Sequence, residues 1–170
     1  MGNICSYQNN ITPFHIILLG LNSEEKFKFF CTVTKSNPNI TRKKLYDEKT
    51  ININDCNVNI VYTGELKGLD ISRCIYHGNG LIYIADMGNE SEIENIINHL
   101  KVIDKIRNHV YSTPMAIICV YKSNVLTNSV ERISRLEQDE YSHVRVFPVE
   151  NYNDEDLQPV LNWLLTSTKY

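Results

Sequence analysis

The hydrophobic positions along the chain fall into short apolar runs that alternate with stretches of helical periodicity. Five runs are rich in β-branched residues, as expected of strands covered on both faces: 14–19, 58–62, 81–85, 115–121 and 144–149. Residues 50–53 predict a further edge strand. Asn54, Asp55 and Cys56 would turn that strand back into the one beginning at Asn57, which makes an antiparallel hairpin.

Helical patterns lie between these strands. Ser91 and Glu94 form a capping box ahead of apolar residues spaced three and four apart: Ile93, Ile96, Ile97, Leu100, Ile103 and Ile106. Segments 25–34, 128–137 and 154–166 predict the other helices. This alternation predicts an α/β fold with a mostly parallel six-stranded sheet, one antiparallel edge strand and helices on both faces. Ligands of such sheets bind at the carboxyl ends of the strands.

The length and composition suit one globular domain. Residues 1–13 are polar and contain a proline, so they predict a flexible leader, and residues 14–170 predict the domain. The formal charge of -3 gives no general attraction to nucleic acid or anionic lipid, so no nucleic-acid partner is expected. The five cysteines are odd in number, widely spaced and without a C-x-x-C pair, which argues against a disulfide framework or a zinc site. The histidines show no metal-ligand spacing either, and no metal is expected.

The chain begins with a signal for lipid attachment. Met1 to Ser6 satisfy M-G-x-x-x-[ST], in which Gly2 becomes the free amino terminus and accepts a myristoyl chain. One such chain holds a protein to a membrane only marginally, and no Lys or Arg precedes His15 to assist it. Cys5 as a palmitoylation site, or a protein partner, is left as the second anchor. An unmodified tail is the alternative. The predicted location is cytoplasmic, peripheral on cytosol-facing membranes, because no apolar run can span a bilayer and no secretory signal is present.

The turn after the first strand has the length of a phosphate-binding loop. That motif reads G-x-x-x-x-G-K-[ST], and we call residues 20–27 the Gly20 loop. Gly20 and Lys26 match. Glu25 stands at the second glycine, and Phe27 supplies no oxygen to a cation that is bound by oxygen ligands. Glu24 and Glu25 would repel phosphate but suit the positive end of a helix. A plain strand-turn-helix that never held a nucleotide is the alternative interpretation.

Several segments together resemble the ADP-ribosylation-factor (Arf) family of small GTPases. That family begins M-G-N-I, as this chain does, and follows its first strand with G-L-D-A-A-G-K-T-T, against Gly20-Leu21-Asn22-Ser23-Glu24-Glu25-Lys26-Phe27-Lys28 here. Its D-V-G-G-Q corresponds to Tyr62-Thr63-Gly64-Glu65-Leu66, and its G-L-I-F-V-V-D to Gly80-Leu81-Ile82-Tyr83-Ile84-Ala85-Asp86. Its N-K-x-D corresponds to Tyr121-Lys122-Ser123-Asn124. The resemblance implies a three-layer, P-loop small-GTPase-like fold.

Carried over residue by residue, the resemblance implies a degraded nucleotide site. Tyr62 replaces the aspartate that holds Mg²⁺ through water, and Glu65 replaces the glycine that contacts the γ-phosphate. Leu66 replaces the glutamine that orients water, and it has no hydrogen-bonding group. Asn124 replaces the aspartate that reads guanine, and it offers one acceptor where two are needed. Lys26 and Lys122 match the lysines of the family's motifs. For the threonine that binds Mg²⁺ in the family, the alignment offers only Thr41 as a candidate.

These observations predict a lipid-anchored, Arf-like pseudo-GTPase, not an enzyme. It would need no cofactor and would work through protein effectors or regulators in membrane trafficking or signalling. The alternative is an atypical GTP- or purine-nucleotide-binding switch with Mg²⁺ and little hydrolysis, in which Lys26, backbone amides and Asn124 still hold the nucleotide. A third hypothesis is an α/β structural module without membrane attachment.

Overall fold

A computed structural model describes residues 13–37, 47–64, 69–88, 90–108, 113–121, 127–138 and 143–167. These residues contain a single six-stranded sheet. The strands are β1 (Phe14–Leu19), β2 (Asp47–Ile53), β3 (Cys56–Tyr62), β4 (Gly80–Asp86), β5 (Met115–Val120) and β6 (Val144–Val149), in the spatial order β2-β3-β1-β4-β5-β6. Only the β2 and β3 pairing is antiparallel, and β2 is an edge strand. The mostly parallel sheet with one antiparallel edge strand is therefore confirmed.

Five α-helices lie among the described residues: α1 (Ser23–Thr34), α2 (Leu69–His77), α3 (Ile93–Asn108), α4 (Thr127–Gln138) and α5 (Asp154–Ser167). Four of them match predicted segments, and α2 was not predicted. A 3-10 turn, Glu90–Glu92, precedes α3, so this helix starts one residue later than the capping box predicts.

Helices cover both faces of the sheet because alternate strand residues point to opposite sides. From β1, Ile16 and Leu18 join an apolar cluster with α1 and α5, while Ile17 and Leu19 join a second cluster with α2, α3 and α4. The central strands are buried almost throughout, which explains why they appear in the sequence as continuous apolar runs. The prediction of helices on both faces is confirmed.

The β2–β3 hairpin turns at Asn54 and Asp55, as predicted, but Cys56 already belongs to β3 and not to the turn. Asn54 and Asp55 both adopt positive φ, at 51° and 63°. Positive φ at both residues is required in a two-residue turn whose twist matches that of the flanking strands. The side chain of Asn54 also donates a 2.7 Å hydrogen bond to that of Asn162, which ties the turn to α5. The turn is thus defined by its backbone conformation, and the Asn54 side chain attaches it to α5.

Among the cysteines that the structure describes, one differs from the prediction. Cys31, Cys74 and Cys119 are free thiols, and burial raises the pKa of Cys119 to about 12. Cys56 is disulfide-bonded, so the prediction against disulfides is wrong for this residue.

Candidate functional site

The candidate site lies where three strands end side by side. β1 is hydrogen-bonded to β3 on one side and to β4 on the other, all in parallel, so their carboxyl ends share one edge of the sheet. The Gly20 loop follows β1, Thr63 and Gly64 follow β3, and Met87 and Gly88 follow β4. The structure therefore brings together the described parts of the motifs that the sequence singled out.

Gly20 is required for close packing of the backbone. Its φ is 142°, a conformation that L side chains rarely adopt, and a Cβ at this position would collide with the carbonyl oxygen of Ile84 in β4. The glycine lets the loop pass directly over β4. This requirement holds whether or not a phosphate ever binds to the loop.

Asn22 closes the start of α1 with its own side chain. Its Oδ1 accepts hydrogen bonds from the backbone N–H groups of Glu24 at 3.0 Å and Glu25 at 3.2 Å. Its Nδ2 donates to the Asp86 carboxylate at 2.9 Å, and the other oxygen of that carboxylate accepts from the Gly88 N–H at 2.9 Å. A phosphate at a helix N-terminus binds to such N–H groups, and here these two already have a protein acceptor.

Lys26 points into the protein. Its side chain is buried, and the ammonium donates a hydrogen bond to the backbone carbonyl of Gly64, which itself has a φ of 54°. The lysine thereby joins α1 to the turn after β3. A buried ammonium needs such acceptors, because its desolvation is otherwise costly.

Phe27 and Tyr62 form an aromatic pair beside this lysine. Their ring centroids lie 5.6 Å apart at an interplanar angle of 62°, and Phe30 packs on the same tyrosine at 5.8 Å. Edge-to-face rings at such distances attract one another. The Tyr62 hydroxyl lies 3.5 Å from the carbonyl oxygen of Ser23, at the outer limit for a hydrogen bond. Apolar rings therefore occupy the region between the Gly20 loop and the end of β3.

The two glutamates of the loop occupy different environments. Glu24 is exposed, whereas the Glu25 side chain is 14% exposed and pairs with Lys28. Glu25 also accepts a 3.1 Å hydrogen bond from the hydroxyl of Tyr152, whose ring packs edge-to-face on Phe29 at 5.7 Å. Burial raises the pKa of Tyr152, with the negative charge of Glu25 adding to the effect. The positive charge of Lys28 partly offsets the repulsion between Glu25 and a phosphate that we predicted from the sequence.

Tyr152 and the contact of Asp86 with Asn22 were not predicted. Asp86 lies at the carboxyl end of β4, and Tyr152 follows the carboxyl end of β6. Because sites in such sheets form at the carboxyl ends of the strands, the predicted strands could have indicated both residues. Seven of the residues singled out from the sequence lie outside the described residues: Gly2, Cys5, Thr41, Glu65, Leu66, Lys122 and Asn124. Their predicted roles stay predictions.

Nothing in the described part of the chain points to a metal site or a transmembrane helix. No group of three His, Cys, Asp or Glu side chains there is arranged to hold a metal ion. No helix there is long and apolar enough to cross a bilayer. Comparison of the sequence with protein-family models and with curated proteins gives no match.

Proposed function

We propose that this protein is an Arf-like pseudo-GTPase: a small-GTPase-like domain that binds no nucleotide tightly and acts through protein contacts at a membrane surface. The six-stranded sheet is compatible with that fold, and the site lies at the strand ends where such folds bind phosphates. Membrane trafficking or signalling is the process that the resemblance implies.

The contact between Phe27 and Tyr62 carries the proposal. In the resemblance, these two residues come from different motifs and stand where a hydroxyl and a carboxylate would together hold Mg²⁺. Their rings pack against each other with centroids 5.6 Å apart. This proximity is what the alignment of the two motifs requires. Phe27 has no oxygen, and Tyr62 offers only a phenol hydroxyl where a carboxylate would hold Mg²⁺.

The hydrogen bonds of Asn22 and Lys26 add an energetic argument. A triphosphate in the Gly20 loop would have to displace the Asn22 oxygen from two N–H groups and the Lys26 ammonium from the Gly64 carbonyl. Each of these three bonds has a net value of about 1 kcal/mol. Displacing all three would weaken binding by roughly a hundredfold, since about 1.4 kcal/mol corresponds to a factor of ten.

The same contacts support a surface that does not switch with nucleotide state. Lys26 links α1 to the turn after β3, and Asn22 links the Gly20 loop to the end of β4 through Asp86. Protein side chains thus hold the Gly20 loop and the described turn after β3 in place without a phosphate. Effectors or regulators would meet one conformation of this face.

Nucleotide titration of the purified full-length chain tests this proposal. Fluorescent GTP, GDP, ATP and XTP are titrated with Mg²⁺, and thermal stabilisation by the same nucleotides is measured in parallel. We expect no binding at micromolar concentrations. Micromolar or tighter binding would support the atypical nucleotide-binding switch instead.

The variant Lys26→Met makes this test sharper. If Lys26 is a structural residue, its loss lowers the free energy of unfolding by about 1–3 kcal/mol, because a buried carbonyl loses its donor, and nucleotide affinity stays negligible. If Lys26 is a phosphate ligand, the substitution lowers nucleotide affinity. Exposed Lys35→Met, at the end of α1, is the matched control for the substitution itself.

Membrane attachment is tested on the chain expressed with an N-myristoyltransferase. Intact mass should show an acyl adduct that Gly2→Ala abolishes, and flotation with vesicles should depend on the same residue. Failure to acylate Gly2 would favour an α/β module without membrane attachment. That outcome is distinct from nucleotide binding, so the two parts of the proposal are tested separately.

A further inference from the structure

A buried tyrosine and a half-buried histidine join α3 to the sheet on the face opposite α1. Tyr83 lies in the middle of β4 and is 0% exposed. Its hydroxyl lies 2.9 Å from Nδ1 of His99 on α3, and the two rings pack with centroids 5.6 Å apart. This polar contact lies within an otherwise apolar cluster.

Only one arrangement of protons lets both the Tyr83 hydroxyl and the His99 ring form this hydrogen bond with no proton left over. When His99 is neutral and carries its proton on Nε2, Nδ1 accepts from the Tyr83 O–H. When the imidazole takes up a proton, that proton resides on Nδ1, which becomes a donor to the tyrosine oxygen. The tyrosine proton then has no acceptor among the contacts of this hydroxyl, because His99 is its hydrogen-bond partner in the described structure.

Charge in the surroundings acts in the same direction. Burial lowers the pKa of His99, and the positive charge of Lys26 on α1 lowers it further. On α3 itself, the residues three and four positions away carry no titratable group: Asn95, Ile96, Val102 and Ile103. From α2, the partly buried thiol of Cys74 stays neutral, because burial raises its pKa. Among the described residues, no carboxylate contributes to the shift in the pKa of His99.

We propose that His99 makes the joint between α3 and the sheet sensitive to acid: protonation of its imidazole reverses the hydrogen bond with Tyr83 and loosens α3 from β4. This device is independent of nucleotide and goes beyond the proposed function. It leaves the opposite face, where α1 and α5 pack, unchanged.

The direction of the pH dependence follows from linkage. Because the folded pKa of His99 lies below the ordinary value of 6.5, the unfolded or locally open state binds more protons at mildly acid pH. The stabilisation is fully present above 6.5, begins to fall as pH drops through that value, and is lost below the folded pKa. The opening equilibrium of α3 should increase about tenfold for each unit by which the pKa is lowered.

NMR titration of the histidine rings and hydrogen exchange of the backbone amides test the proposal. We expect His99 to be the Nε2–H tautomer when neutral and to titrate below 6.5. After correction for intrinsic exchange rates, the amides of α3 should lose protection between pH 7 and pH 5, while those of α5 should not.

Three variants separate this device from general acid sensitivity. Tyr83→Phe removes the hydroxyl that protonation leaves without an acceptor, so the pKa of His99 should rise toward 6.5. His99→Gln should abolish the acid-dependent loss of protection in α3, and His77→Gln, at an exposed position of α2, should preserve it. A His99 pKa at or above 6.5, a pKa unchanged by Tyr83→Phe, or pH-independent protection of α3 would each overturn the proposal.

Discussion

Asn22→Ala removes two stabilising features of the Gly20 loop at once. The asparagine caps α1 by accepting from two backbone N–H groups, and it donates to the Asp86 carboxylate at the end of β4. Loss of a helix N-cap costs about 1 kcal/mol. A partly buried hydrogen bond to a carboxylate contributes about 1–2 kcal/mol. We therefore expect the free energy of unfolding to fall by roughly 2–3 kcal/mol.

A second substitution at the same position separates the two contributions. Asn22→Asp keeps an oxygen that caps α1 and favours the helix dipole, but it replaces the donor to Asp86 with a second carboxylate. The double-mutant cycle of Asn22→Ala with Asp86→Ala isolates the contact between the side chains, since Asp86 also accepts from Gly88. We expect a coupling free energy of about 1 kcal/mol.

Urea denaturation followed by circular dichroism gives these free energies for each variant. A loss below about 0.5 kcal/mol for Asn22→Ala, within the range of ordinary surface substitutions, would refute the reasoning. A small loss for Asn22→Ala would mean that Asn22 holds the N–H groups at the start of α1 only weakly, and the energetic argument against phosphate binding would fail. A coupling energy near zero would show only that the contact with Asp86 does not stabilise the loop.

Two further substitutions test the packing of the same site. Gly20→Ala should lower the free energy of unfolding by more than about 1 kcal/mol in chemical denaturation, because the added Cβ meets the Ile84 carbonyl oxygen at a positive φ; an unchanged stability would show that the loop can move away from β4. Tyr152→Phe keeps the ring but removes the donor to Glu25, so a loss of about 1 kcal/mol is expected, against less than about 0.5 kcal/mol for exposed Tyr76→Phe.

The sequence predicts the core of the sheet well because buried parallel strands are continuously apolar. It underestimates β2, whose first three residues are Asp47, Glu48 and Lys49 and carry no apolar signal. Their pairing with the end of β3, as in Asp47 opposite Tyr62, makes them part of the strand. Backbone hydrogen bonding extended this element, and hydropathy alone cannot detect that.

The missed helix α2 has a different cause. It is short, and Gly78 directly follows it, so its apolar residues form less than a full repeat of a helical stripe. Ile71, Cys74 and Ile75 do follow the spacing of three and four, and they pack into the second cluster. A segment this short is not a stable helix by itself, and it forms one here because the sheet offers an apolar surface to cover.

The residues of the Gly20 loop that match a phosphate-binding motif no longer count in favour of nucleotide binding. Gly20 is needed where the backbone passes over Ile84, and Lys26 bonds to the Gly64 carbonyl, so each has a structural role. The matches therefore do not separate a nucleotide-binding loop from a structural turn. The discrimination rests on Phe27, which has no oxygen for a cation, and on Tyr62, which packs against it and offers a phenol hydroxyl in place of a carboxylate. A nucleotide that binds to this site would have to do so without Mg²⁺ held at these two positions.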